Sequence, residues 1–114
     1  MKIDSVLKKI DKNFLNGIIL NNTRTVSVLT SKGCGSCYLS SSILKKLSAD
    51  FSTSVLFFEV DIDDEHLNVS DLGFSELPII LFAKGEDICD ALYGIHSQAD
   101  IREKIINLLK EPAL

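Results

Sequence analysis

Residues 25–37, with the sequence TVSVLTSKGCGSC, place two cysteines between a predicted strand and a predicted helix. Residues 25–30 are rich in β-branched side chains and run into a glycine-rich turn, which is the pattern of a buried strand. Beyond the turn, apolar side chains recur at helical spacing: Leu39, Ile43, Leu44, Leu47 and Phe51. Cys34 and Cys37 therefore lie where a strand gives way to a helix.

The start of a helix favours a thiolate. Unpaired backbone N–H groups and the positive end of the helix dipole lower the pKa of a thiol placed there. We expect Cys34 to be the exposed, attacking thiolate and Cys37, three residues later, to lie deeper on the same side of the helix. Lys32 adds favourable positive charge, and Gly33 and Gly35 leave room for a partner chain to approach.

The other cysteine and the histidines give little support for a metal site. A structural zinc ion takes four N or S ligands, and the candidates beyond the cysteine pair, His66, Cys89 and His96, are irregularly spaced. We expect no bound metal. Cys89 is interpreted as a small apolar core residue, with a regulatory or dimerising thiol as the alternative, and both histidines as surface or packing residues.

The remainder of the chain predicts strands and helices in alternation, and then a hairpin and a last helix. These elements indicate a single α/β domain over residues 1–114, with a mixed sheet. The predicted segments are a helix over 3–14, strands at 18–20 and 55–61, a short helix from 63, a strand over 77–82, a turn at 83–87, a returning strand over 88–93, and a helix from the capping sequence 97–100 to Pro112.

Charge and hydropathy argue against several classes of protein. The formal net charge of -4 disfavours binding to nucleic acid or to anionic membranes. Charged residues interrupt the first apolar residues, unlike a signal peptide, and no apolar stretch approaches the roughly 20 residues that span a bilayer. We expect a cytoplasmic protein. Structural disulfides are rare in that compartment, so the cysteine pair indicates redox chemistry.

Taken together, these segments resemble the thioredoxin family from Ile3 to Leu109. The matching motifs are the strand 26–29, the Cys-Gly-Ser-Cys turn 34–37, the strand 57–63, Leu77-Pro78, the hairpin 84–86 and Gly94. The resemblance implies the thioredoxin fold, a central mixed sheet of four to five strands with helices on both faces. It also implies a thiol-disulfide oxidoreductase, in which Cys34 attacks a protein disulfide and Cys37 resolves the mixed disulfide.

The resemblance further assigns a groove for the client protein. Pro78 would be a cis proline packed against the cysteine pair, and the backbone of Leu77 would hydrogen-bond an extended client. Gly33 and Gly94 would keep the groove open. The implied partners are proteins that contain disulfides and a flavin- and NADPH-dependent reductase as electron donor, so the chain, acting as a monomer, needs no bound cofactor.

The sequence departs from the family pattern at four places. Gly33 stands where thioredoxins usually have Trp, and Gly35-Ser36 stands where they have Gly-Pro. The family's buried Asp falls on Val28 and its partner Lys on Glu59, so Glu59 becomes the candidate for proton transfer if it lies behind Cys37; the alternative is a partly exposed strand residue. Serines at 40–42 replace the proline that bends the active-site helix.

These departures keep two other functions open. One is a binding module that retains the fold and uses the groove near Gly33, Leu77 and Gly94 for protein contact. The other is a zinc or iron–sulfur protein that uses the cysteine pair, with a second copy of the chain completing the site. We favour the oxidoreductase because both cysteines are present, and expect the four departures to shift the redox potential of the pair.

Overall fold

The computed structural model describes residues 23–63, 76–85 and 87–110. The helix predicted over 3–14 and the strand predicted at 18–20 lie outside these residues, as do His66 and most of the helix predicted from residue 63. The described elements agree in type with those predicted. In chain order they are β1 (Arg24–Thr30), α1 (Cys37–Phe51), β2 (Leu56–Asp61), β3 (Ile79–Lys84), β4 (Asp87–Tyr93) and α2 (Gln98–Leu109).

The four strands form one mixed sheet in the order β2-β1-β3-β4. β1 is parallel to β2 and antiparallel to β3, and β3 and β4 form an antiparallel hairpin. The registers pair Leu29 with Ile79, and Ile79 with Tyr93. The carboxyl ends of β1 and β4 and the amino end of β3 therefore meet at one edge, which brings the cysteine loop beside Pro78 and Gly94.

The inner strands β1 and β3 are buried on both faces, which accounts for their nearly continuous apolar sequences. One face packs against α1 and α2 in a cluster that includes Val28, Leu47, Phe82 and Ile105. The opposite face holds a second buried cluster of five residues: Leu29, Ile62, Ile79, Leu81 and Ala83. Both described helices thus cover a single face, and the prediction of helices on both faces is not tested by the described residues.

Helix α2 begins at the predicted capping sequence. The Ser97 hydroxyl oxygen accepts a hydrogen bond of 3.1 Å from the backbone N–H of Asp100, so one of the unpaired N–H groups of the first turn is satisfied. Its apolar side, Ile101, Ile105 and Leu108, then packs into the core. Neither described helix is long and apolar enough to cross a membrane.

Candidate active site

Cys34 and Cys37 are joined by a disulfide, with their Cα atoms 5.5 Å apart. The backbone N–H of Cys34 donates to the carbonyl of Ser31 (3.0 Å), and that of Cys37 donates to the carbonyl of Cys34 (3.3 Å). Helix α1 begins at Cys37, two to three residues later than the start at Cys34 or Gly35 predicted from the sequence, so Cys34 lies in the turn that precedes the helix. Cys34 is partly exposed, whereas Cys37 is only 4% exposed.

Ser36, at the N-cap of α1, leaves the first turn of the helix without a side-chain cap. Its hydroxyl oxygen lies 3.7 Å from the sulfur of Cys34. The first turn contains no acidic residue, so no side-chain carboxylate offsets the positive end of the helix dipole there. The proline found at this position in the resembled family has no hydroxyl group. Ser36 therefore offers the sulfur a hydrogen-bond donor in addition to the helix N-terminus.

Asp63 anchors the loop that carries the cysteines. Its carboxylate accepts hydrogen bonds from the backbone N–H of Lys32 (2.9 Å) and the hydroxyl of Ser31 (3.0 Å). The N–H of Gly33 donates in turn to the Ser31 hydroxyl oxygen (3.3 Å). The bond from the Lys32 N–H, and next the bond from Ser31, hold the pKa of Asp63 below its ordinary value.

Sequence reasoning did not single out Asp63 for this role. A signal was present, because β1 and β2 are parallel and residues after their carboxyl ends must lie at the same edge of the sheet. An acidic residue two positions beyond β2 is therefore a candidate partner for the loop after β1.

An open groove of about 480 Å³ lies over the disulfide. Its lining brings together the predicted site residues Gly33, Cys34, Gly35, Ser36 and Leu77, and adds Ser31 and Glu76, which the sequence did not point to. Neither Gly33 nor Gly35 has an atom within 4 Å of the place where a Cβ would stand, so both border open space.

A backbone hydrogen bond joins Pro78 and Gly94, the two residues predicted beside the groove. The Leu77–Pro78 peptide bond is cis, as the resemblance implies. The backbone N–H of Gly94 donates to the carbonyl of Pro78 at 2.8 Å. Gly94 has φ +79°, a left-handed conformation that favours glycine, and a Cβ there would lie 3.4 Å from the carboxyl group of Glu76.

A second cavity of about 310 Å³ also borders the disulfide and is lined by residues that include Cys34, Cys37, Ser41, Lys45 and Glu59. Glu59 is exposed on β2, next to the buried Val28 of β1. The structure thus brings Glu59 to the same cavity as Cys37 and places it at the surface. Glu59 is therefore not the buried carboxyl group expected behind Cys37.

Comparison with known proteins identifies the fold and the family. The family model described as Thioredoxin matches residues 5–107. The chain belongs to the thioredoxin family. The crystal structure of thioredoxin O2 from Arabidopsis thaliana in its oxidized state superposes with a TM-score of 0.72 at 22% identity, covering 96% of this chain and 92% of that one.

Two Arabidopsis thaliana proteins illustrate the sequence similarity. Thioredoxin H4 is 28% identical over 86 residues, which is 75% of this chain and 71% of the relative. NADPH-dependent thioredoxin reductase 3 is 27% identical over 106 residues, which is 91% of this chain but 20% of that protein. Membership of the thioredoxin family, with two cysteines at disulfide distance, indicates a thiol-disulfide oxidoreductase.

The remaining candidate residues of this thioredoxin-family chain lie apart from the groove. Cys89 is exposed on β4, where its sulfur lies 3.8 Å from the carbonyl of Asp87, so its interpretation as a core residue is wrong. Cys89 lies where the β3–β4 register shifts, between the pairs Phe82–Asp90 and Ala83–Ile88, so the regular alternation of the strand is interrupted there. His96 contacts the carbonyl of Tyr93 at 3.0 Å. No group of three or more His, Cys, Asp or Glu side chains within 23–63, 76–85 and 87–110 is arranged to hold a metal ion.

Proposed function

We propose that this protein is a protein-disulfide reductase in which Cys34 attacks a client disulfide and Cys37 resolves the product. The observation that carries the proposal is the difference in exposure within the pair. Cys34 is partly exposed and borders an open groove, whereas Cys37 is buried. An exposed thiolate can reach a large protein substrate, and a buried neighbour can attack only the bond that the first cysteine has formed.

The proposed reaction transfers two electrons to the client. The Cys34 thiolate forms a bond to one client sulfur and breaks the client disulfide, so the other client sulfur leaves as a thiolate. Cys37 then loses its proton and attacks the sulfur of Cys34, which releases the second client thiolate. The chain ends with the Cys34–Cys37 disulfide, and the client holds two thiols once its sulfurs take up protons.

The groove supports a mode of client binding. Leu77 and Gly33 both border it, and an extended client segment can pair with the backbone of Leu77 as an added strand. Pro78 and Gly94 hold that edge in place through their hydrogen bond. Main-chain pairing of this kind accepts many client sequences, because every peptide offers the same N–H and carbonyl groups.

The proposal includes the path of the resolving proton. Glu59 shares a cavity with Cys37, and in our proposal its carboxylate takes the Cys37 proton through water in that space. Because Glu59 is exposed, proton exchange with solvent competes with this route. Glu59→Gln is expected to slow the resolving step by less than about tenfold, below the roughly 10²- to 10⁴-fold contribution of a well-positioned general base.

Re-reduction requires an external electron donor, and we propose a flavin- and NADPH-dependent reductase. The match to a segment of a protein named NADPH-dependent thioredoxin reductase 3 supports this donor class. In the same proposal the chain works in the cytoplasm as a monomer, binds no cofactor of its own, and carries its electrons only on the cysteine pair.

The experiment that tests the function is reduction of a protein disulfide, with insulin as substrate and dithiothreitol as electron source. The wild type is expected to accelerate the reaction, and Cys34→Ser to abolish the acceleration. Cys37→Ser, first reduced and then freed of dithiothreitol, should retain the attack but trap the client as a mixed disulfide, visible as a covalent adduct in non-reducing electrophoresis. Cys89→Ser is the matched control and should behave as the wild type. Equal reduction with and without the wild-type protein would contradict the proposal.

A further inference from the structure

We propose that Glu76 makes the client groove selective for disulfides flanked by Lys or Arg. The inference rests on the proposed disulfide reduction and adds a substrate class to it. Glu76 lines the groove together with Cys34 and Leu77, and it is the only charged side chain among the described residues that do so. Main-chain pairing by itself is indifferent to sequence, so this carboxylate is the groove's means of distinguishing clients.

The position of the Glu76 side chain is defined by its neighbours. Its carboxyl carbon and both carboxyl oxygens lie 3.4 Å from the point where Gly94 would carry a Cβ. Glu76 therefore occupies the space beside Gly94 at the edge of the groove. A larger residue at position 94 would compete for that space, in addition to the backbone strain at φ +79°.

The carboxylate of Glu76 is available to a client. The residue is exposed, and the two ion pairs found among the described residues join Arg102 to Asp50 and Lys104 to Asp90, both on other parts of the surface. An exposed charge without an intramolecular ion pair gains more from a partner of opposite sign than one that is already paired.

The geometry of strand addition places the client's flanking residues next to this charge. Side chains directly opposite each other in paired strands have their Cβ atoms about 4.5–5.5 Å apart. Since Glu76 directly precedes Leu77, a client segment paired with Leu77 carries residues adjacent to the attacked cysteine past Glu76. A Lys or Arg there forms an ion pair, and an Asp or Glu is repelled.

Three model peptides test the selectivity. Each contains one intramolecular disulfide, and they differ only in whether Lys, Gln or Glu precedes the attacked cysteine. The pre-reduced protein is mixed with each peptide in a single turnover at low ionic strength, and the rate of peptide thiol release is measured. For the wild type we expect the Lys peptide to react about three- to tenfold faster than the Glu peptide, because the attraction of Lys and the repulsion of Glu, each of the size of an exposed charge pair, add together. Added salt should reduce this ratio.

The variants assign the effect to Glu76. Glu76→Gln should bring the rates for the three peptides together, and Glu76→Lys should reverse their order. Glu103→Gln on α2 makes the same change in side chain and net charge away from the groove, and it should preserve the wild-type ratio. The rate with iodoacetamide, an uncharged reagent, reports any general change in Cys34 reactivity and is used to normalise the peptide rates.

The outcomes separate this inference from the function on which it rests. Equal rates for the three peptides with the wild type, or an unchanged ratio in Glu76→Gln, would overturn the selectivity and leave disulfide reduction standing. A wild-type protein that reduces none of the peptides would overturn both. A preference for the Lys peptide that is lost in Glu76→Gln and kept in Glu103→Gln would support it.

Discussion

Ser36 and Asp63 make polar contacts in the cysteine loop, in which the sequence lacks the proline and the tryptophan usual in thioredoxins. Ser36 brings a hydroxyl to 3.7 Å from the Cys34 sulfur where the usual proline has none, and this donor is positioned to stabilise a thiolate. Asp63 fixes the other end of the same loop through Ser31 and the Lys32 N–H. The loop thus depends on short polar side chains rather than on the bulk of a tryptophan beside the first cysteine.

The hydrogen bonds of Asp63 make the stability of the loop depend on pH. Its folded-state pKa is depressed, so its contribution is fully present above its ordinary pKa of 3.8 and is lost as the pH falls through the lower folded-state value. Asp63→Asn is therefore expected to unfold more easily than the wild type at pH 7. The difference in unfolding free energy between the two proteins should shrink below about pH 4.

Urea unfolding at a series of pH values between 7 and 2 measures this difference. Asp87→Asn removes a carboxylate at the opposite end of the sheet, where β4 begins, and serves as the control. Ser31→Ala removes one of the two donors, so its effect and that of Asp63→Asn should be less than additive. A difference between wild type and Asp63→Asn that stayed constant from pH 7 to pH 2 would contradict this account of the loop.

The two described helices differ at their N-termini. Helix α2 has a side-chain cap and supports the core, whereas α1, which carries Cys37, has none. Ser97 caps α2 with its own hydroxyl, as the capping sequence predicts. Ser36 occupies the corresponding position in α1 without capping it, and its hydroxyl lies beside a sulfur instead. Leaving a helix N-terminus uncapped sacrifices stability, and here it keeps backbone N–H groups available to a negatively charged sulfur.

Removing the cap of α2 should destabilise the whole domain, because α2 contributes Ile101, Ile105 and Leu108 to the core. Ser97→Ala is expected to lower the free energy of unfolding by about 1 kcal/mol, the usual cost of losing a serine cap. Ser97→Asp, which offers an acceptor of the same kind, should recover most of the loss. Chemical denaturation measures both variants, and an unchanged midpoint in Ser97→Ala would refute the role of the cap.

Elements with strong local signals were predictable from the sequence, and contacts between distant segments were not. The strand at 25–30, the helix after the cysteines and the cap at Ser97 all follow from spacing and residue type over a few positions. The roles of Asp63 and Glu76 depend on which segments meet at the edge of the sheet. Cys89 was misplaced because the register shift at its position in the β3–β4 hairpin cannot be predicted from the residue types of a short strand.

In the molecule as a whole, the buried sheet positions the residues of the groove at the end where β1 and β4 finish and β3 begins. The inner strands β1 and β3 are sealed on both faces by apolar clusters, and each fully buried Leu or Ile contributes roughly 1.5–3 kcal/mol. The segments that form the groove follow β1, precede β3 and follow β4. Their positions are therefore set by the core, so the groove can vary in sequence while the fold is kept.

The redox state of the cysteines also affects the stability of the fold. Oxidation closes a loop between residues only 3 apart in sequence. By the loop-entropy relation such a short crosslink restricts the unfolded chain by about 2 kcal/mol. We expect the oxidised protein to unfold at a higher denaturant concentration than the reduced protein, by a free-energy difference of that order.

Guanidinium denaturation with and without dithiothreitol measures this difference, and Cys34→Ser, which cannot form the disulfide, should be insensitive to the reductant. A thermodynamic cycle relates this difference to the redox potential. The difference in unfolding free energy between the oxidised and the reduced protein equals the difference in redox free energy of the cysteine pair between the folded and the unfolded chain. About 2 kcal/mol corresponds to roughly 40 mV toward the reducing side. If the reduced form were the more stable one, folding would favour the dithiol. The folded pair would then be more oxidising than the pair in the unfolded chain, which would contradict a reductase.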